Sequence, residues 1–197
     1  MTANWLQQLE SSLWPRGYSR NTWMIVDSAR DQRIFGLLLE CFYSDHTCLF
    51  AGPLSPEIEV AAPYLVHLRY DDERTRKFIS LAWQNSWGLF LQTEAGKDSL
   101  RRHLRTFLLV RDYEGHPLMF RYYDPRVMRV YLPTCTNDEL NTVFGPITRF
   151  LIEGSEPETL QQFSFDGKRL ELLERGLEAN ALDTPSPLQT NPDLDAR

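Results

Sequence analysis

The sequence is poor in the residues that most often build metal and redox sites. It has three cysteines, Cys41, Cys48 and Cys135, and four histidines among 197 residues. An odd cysteine count without a C-x-x-C pair argues against a disulfide framework and fits a reducing compartment. No apolar run approaches the length of a membrane span, so no membrane association is expected. The opening stretch MTANWLQQLESSLW has neither a basic n-region nor a long apolar core. That pattern is not a Sec signal peptide, and it sets the cytoplasm as the expected location. Basic residues are not in excess: the net charge is −6, which argues against a dedicated nucleic-acid binder. No serine or cysteine sits in a G-x-S-x-G-type nucleophile setting.

What is present is an ordinary globular composition, 42% hydrophobic, enough for a real core. Asn4 to Leu13 reads as an amphipathic helix with Trp5, Leu6, Leu9 and Leu13 on one side. Strands are expected at Trp23–Val26, Cys48–Ala51, Tyr64–Leu68 and Leu89–Gln92. Helices are expected from an Asp27-Ser28 cap to about Tyr43, and from Asp71 to about Asn85. This alternation predicts an α/β fold: a mixed, partly parallel sheet flanked by helices.

The densest stretch runs from Ser99 to Thr134. Leu100, His103, Leu104 and Phe107 share one helical face, with Arg101, Arg102 and Arg105 on the rest of that helix. A hairpin follows, turning at Asp112–His116 around Gly115, with its return strand from Pro117 to Tyr123. Asp124-Pro125 then caps a new helix. Another short helix, capped by Thr136 or Asn137, ends at Gly145-Pro146. Ile147–Ile152 is strand or helix by length. A small hairpin turns at Asp166-Gly167, and Leu170–Leu177 has helical spacing. The expected organisation is an α/β domain over 1–153, a small C-terminal helical and hairpin appendage over 154–179, and a disordered tail over 180–197.

Four constellations carry chemistry. Asp27, just past the first strand, reads as a helix cap; its catalytic reading pairs it with His67 or His103 in a small hydrolase or transferase. Both histidines also fit the core as hydrogen-bonded residues. Cys41, His46 and Cys48 give three soft ligands where a structural zinc needs four, so no metal or other cofactor is expected. The richest set is Arg101, Arg102, Arg105, Arg121, Arg126 and Arg129 with Tyr122, Tyr123 and Tyr131. Arginine forks and tyrosine rings are enriched at protein interfaces. The same arginines also suit internal ion pairs with Asp112 or Asp124, and both readings stand. Phe163 and Phe165, with Leu170 and Leu173, offer a second candidate groove for a partner segment.

HLRTFLLVRDYEGHPLMFRYYDPRVMRVYLPT, together with WMIVDSARD, CLFAG, APYLVHL and WGLFLQT, closely resembles the signature of the type VI secretion adaptor-chaperones. The resemblance extends from about Trp23 to Glu153. Those proteins escort a toxic effector to the VgrG tip of the secretion spike. The resemblance implies a non-enzymatic adaptor whose partners are a cognate effector and the VgrG spike protein. By residue type, and independently of the resemblance, the candidate contact residues are Arg101, Arg102, Arg105, Tyr122, Tyr123, Arg126, Arg129, Tyr131, Phe163 and Phe165, the last two outside the resembling region.

Overall fold

The computed structural model describes residues 4–15, 21–156 and 158–177. The expected disordered tail, 180–197, lies outside them. In chain order the elements are α1 (Asn4–Leu13), β1 (Asn21–Asp27), α2 (Arg33–Phe42), β2 (His46–Cys48), α3 (Pro56–Glu59), β3 (Pro63–Leu68), α4 (Glu73–Ala82), β4 (Gly88–Thr93) and α5 (Lys97–Arg105). There follow β5 (Leu109–Arg111), β6 (Pro117–Met119), α6 (Pro125–Tyr131), α7 (Asn137–Phe144), β7 (Ile147–Glu153), β8 (Thr159–Phe165) and β9 (Leu170–Gly176). Short 3-10 turns occupy Ser28–Arg30 and Leu132–Thr134. No helix of the described residues is long and apolar enough to cross a membrane.

The fold is α/β, as the alternation of strands and helices predicts. Seven strands form one sheet in the order β2-β3-β1-β4-β7-β8-β9, and β5 and β6 form a separate two-stranded ribbon. The expected parallel pairing does not occur: every pairing among the described strands is antiparallel. The reason lies in the order. β3 and β4, joined through α4, run the same way, but β1 is inserted between them and opposes both. The crossover is a split βαβ unit, so its sequence pattern is that of parallel strands while its ladders are not.

β1 is the centre. From Thr22 to Asp27 each residue is buried, because helices cover both faces of the sheet. Alternation sends Met24 and Val26 to the face packed by Leu9 of α1, Leu38 of α2 and Phe78 of α4. Trp23 and Ile25 go to the other face, against Leu104 of α5, Met128 of α6 and Leu140 of α7. Gly88 starts β4 hard against β1: a Cβ there would lie 1.9 Å from the Ile25 carbonyl oxygen. Only glycine permits that approach.

Caps fix where the helices begin. Asp124 accepts a hydrogen bond from the Arg126 amide, with Pro125 at the first helical position of α6. Thr136 and Glu139 form a reciprocal capping box on α7. Asp27 is not a cap: a 3-10 turn follows it, its carboxylate makes no cap bond, and α2 begins only at Arg33. Two further expectations change. The return strand of the hairpin stops at Met119; the Phe120 amide still donates to the Leu108 carbonyl, and a turn closed by the Asp124 amide on the Arg121 carbonyl follows. Leu170–Leu177 is not a helix; Leu170–Gly176 is a strand. The Asp166 side chain accepts from the Lys168 and Arg169 amides at 2.8 and 2.7 Å, and Gly167 takes φ +90°. That tight turn folds the chain back along β8, and pairing overrides the helical spacing. β8 is hydrogen-bonded to β7, so the segment after Glu153 continues the main sheet.

Candidate protein-docking surface

Six of the seven arginines of the Ser99–Thr134 stretch divide by what holds them; the seventh, Arg111, donates to the Gly115 carbonyl within the hairpin turn. Arg121 reaches back to Asp27 and forms an ion pair with it. The Asp27 side chain is 1% exposed and that of Arg121 45%. Arg126 grips Asp124 through two nitrogens, at 3.0 and 2.6 Å, and the side-chain bonds to Arg126 hold the Asp124 carboxyl below its usual range against the opposing effect of burial. Arg129 donates to the backbone carbonyls of Glu153 and Gly154, at 3.0 and 2.8 Å. Arg121 and Arg129 tie the Phe120–Tyr131 return to the sheet, while the Arg126–Asp124 pair is local to the start of α6.

Arg101, Arg102 and Arg105 differ. Arg101 is half-buried and its Nε donates to the Cys48 carbonyl at 3.1 Å. The side chains of Arg102 and Arg105 make no hydrogen bond or ion pair among the described residues. Arg101 and Arg105 lie one turn apart on α5 and form one stripe. With Asp98 and Arg102 they line a shallow depression of about 360 Å³.

The tyrosines mostly leave the surface. Tyr122 is fully buried, and its hydroxyl donates to the Leu104 carbonyl at 2.8 Å. Tyr123 is buried beside it, with ring centroids 5.6 Å apart. Tyr131 is half-buried, edge-on to Phe120 at 4.8 Å. Phe163 is fully buried in the sheet, and Phe165 is half-buried against Phe144. Tyr122, Tyr123 and Phe163 therefore present no contact surface. The turn at Arg121–Asp124 drives the consecutive rings of Tyr122 and Tyr123 into the core under α5, where an alternating strand would have left one of them outside.

The structure does not bring the catalytic candidates together. His67 pairs with Trp23, four residues along β1 from Asp27, which puts it about 13 Å away. Its ring packs on that of Trp23, with centroids 4.4 Å apart, and burial pushes its pKa down. His103 is wedged beside Gly145, with Nε2 2.9 Å from the Val143 carbonyl; burial lowers its pKa too. Cys41 is buried in the core, and His46 Nδ1 lies 2.7 Å from the Phe42 carbonyl. Among the described residues, the carboxylates and ring of Asp112, Glu114 and His116 do converge. They sit in the exposed hairpin turn, where Asp112 already accepts from the Glu114 and His116 amides.

Two further features were not singled out by sequence. One is a polar pocket of about 250 Å³ between Trp83, Ser86, Arg126, Arg129 and Glu153. Glu153 is buried there, accepting from the Ser86 amide at 3.1 Å, and burial pushes its pKa up to about 7. The other is apolar. The β5–β6 ribbon leaves Leu109 64% exposed, with Leu118 and Met119 close to half exposed. It faces the loop and short helix after β2, and together they form a groove of about 410 Å³ lined by Leu49, Phe50, Leu54, Ile58, Leu109 and Met119, with Arg105 at its rim. The available signal was the brevity of the strands: a three-residue ribbon of Leu-Val-Arg against Pro-Leu-Met cannot bury both of its faces alone.

A domain family of unknown function, DUF4123, matches residues 22–142, more than half of the chain. The chain belongs to this family. No curated protein and no solved structure matches it. The DUF4123 region begins in β1 and ends within α7, so it holds both arginine sets, the ribbon and the groove. β7, β8 and β9 complete the sheet beyond it.

Proposed function

We propose that this DUF4123 protein is a non-enzymatic adaptor that binds a type VI secretion effector and carries it to the VgrG spike. It works in the cytoplasm and stays behind when the spike is fired. The observation that carries the reading is the apolar groove between the β5–β6 ribbon and the Leu49–Ile58 segment. Contiguous exposed leucine, isoleucine and methionine beside a cleft is the mark of a polypeptide-binding surface. The sequence likeness to the adaptor-chaperones of that system supports the identity of the partners, and the family match covers the groove.

The physical task is modest. A loader must hold its cargo and then release it, so it needs a few anchors and a dissociation rate compatible with recycling. Two or three buried apolar side chains supply that scale of affinity. A second surface, away from the groove, holds the spike while the groove is filled. The test is co-purification: the tagged full-length chain is isolated together with the products of its neighbouring reading frames. A toxin and its spike protein are expected in the eluate. If neither is retained, the adaptor reading fails.

A further inference from the structure

The apolar groove and the basic depression are not separate features. Arg105 lines both. A segment lying in the groove therefore leaves it over α5, where Arg105, Arg101 and Arg102 follow within two turns. Asp98 is the one carboxylate among the described residues that line that depression. Arginine forks match carboxylates in a paired, planar geometry. We infer that the groove takes a partner segment with a two-part pattern: apolar anchors that enter between Leu109, Met119 and Ile58, followed by aspartates or glutamates that meet the Arg101–Arg105 stripe. This rests on the docking role proposed above and names the chemistry of its partner.

Several observations favour this occupant. Arg102 and Arg105 have no side-chain partner among the described residues, unlike Arg121 and Arg126, whose carboxylates are supplied from within. Among the described residues, three guanidinium groups against one carboxylate leave an uncompensated positive field at the groove's exit. The far side of the groove is not basic: Glu57 and Glu59 flank Ile58 on α3. A segment basic at both ends would gain at α3 and be repelled at α5, whereas the proposed pattern fixes direction as well as register. A nucleic acid would use the arginines but leave Leu109, Met119 and Ile58 exposed.

The experiment is selection of a random displayed-peptide library on the immobilised full-length protein, in parallel with an Arg102→Glu/Arg105→Glu variant. Neither side chain holds the fold, and a matched melting temperature verifies this. The wild type is expected to enrich peptides with clustered Leu, Ile, Met or Phe followed by Asp or Glu. The variant should reverse the flank to Lys or Arg. A synthetic copy of a wild-type-selected peptide should bind the variant at least tenfold more weakly, and Leu109→Glu should weaken it from the apolar end. Enrichment without acidic bias, equal binding to the charge-reversed protein, or no enrichment at all overturns the inference. So does a labelled DNA oligonucleotide competing for the same site with a steep salt dependence. The two readings fail separately. An effector that co-purifies equally with wild type and charge-reversed protein sinks the segment pattern and leaves the adaptor standing. Selected apolar-acidic peptides with no secretion partner do the opposite.

Discussion

Arg101, Arg102 and Arg105 lie on one side of the hairpin, and Arg121, Arg126 and Arg129 on the other. The two triplets are alike in residue type and close in sequence, yet their surroundings differ. The second triplet meets Asp27 on β1, Asp124 at the start of α6, and the carbonyls of Glu153 and Gly154 at the end of β7. Among the described residues the first triplet has one backbone partner, the Cys48 carbonyl. An arginine is structural when the fold delivers an acceptor to it. Composition alone does not reveal that, because the acceptors of Arg121 and Arg129 come from β1 and the end of β7, far away in sequence.

The sharpest way to break the comparison is to cut an inner arginine. Arg121→Ala strands the buried Asp27 carboxylate. It should cost about 3 kcal/mol, the low end for a broken buried pair because Arg121 is half open to solvent. Thermal unfolding would then shift down by roughly 10 °C. A loss under about 1 kcal/mol would put Arg121 with the outer set.

The inner side also holds Glu153, whose pKa burial pushes up to about 7, well above the usual carboxylate range. A raised carboxyl pKa means that the folded state favours the neutral form. Stability is unaffected below about pH 4.5 and falls as pH rises towards about 7. Glu153→Gln keeps an acceptor for the Ser86 amide and removes the charge. Urea unfolding at pH 5 and pH 8 should show the variant gaining on wild type by roughly 2 kcal/mol at the higher pH. His67 and His103, lowered by burial, titrate in the opposite sense, but they cancel in the difference between the two proteins. An equal gap at both pH values would contradict the assignment.

On the outer side the expected effects move from stability to binding. Leu109→Glu or Met119→Glu should weaken partner binding by more than tenfold while unfolding stays within about 0.5 kcal/mol of wild type. Tyr122→Phe, between the two sets, deletes the hydroxyl bond to Leu104 and should cost about 1 kcal/mol without touching binding. Smallest of all is Arg102→Ala, whose stability should match wild type within about 0.5 kcal/mol by the same unfolding assay.

Much of this was legible in the sequence. The α1 boundaries, the Asp124-Pro125 cap, the Thr136 cap and the Asp166-Gly167 turn follow from local chemistry, which neighbouring residues decide. Strand direction did not follow, because inserting β1 between β3 and β4 is a long-range event that no local pattern records. Leu170, Leu173 and Leu177 fit a helix until the turn before them commits the chain to β8. Tyr122 and Tyr123 read as interface residues by type, and only the turn that buries both rings removes them. The groove was illegible for a related reason: its walls come from Leu49–Ile58 and Leu109–Met119, two segments about 50 residues apart.

The central claim is that the face beside α5 and the ribbon holds another polypeptide. The most direct measurement is co-purification of the tagged full-length chain with the products of its neighbouring reading frames, alongside Leu109→Glu/Met119→Glu of matched stability. The account predicts that a toxin is retained by the wild type and lost by the variant. Equal retention by both, or by neither, would contradict it.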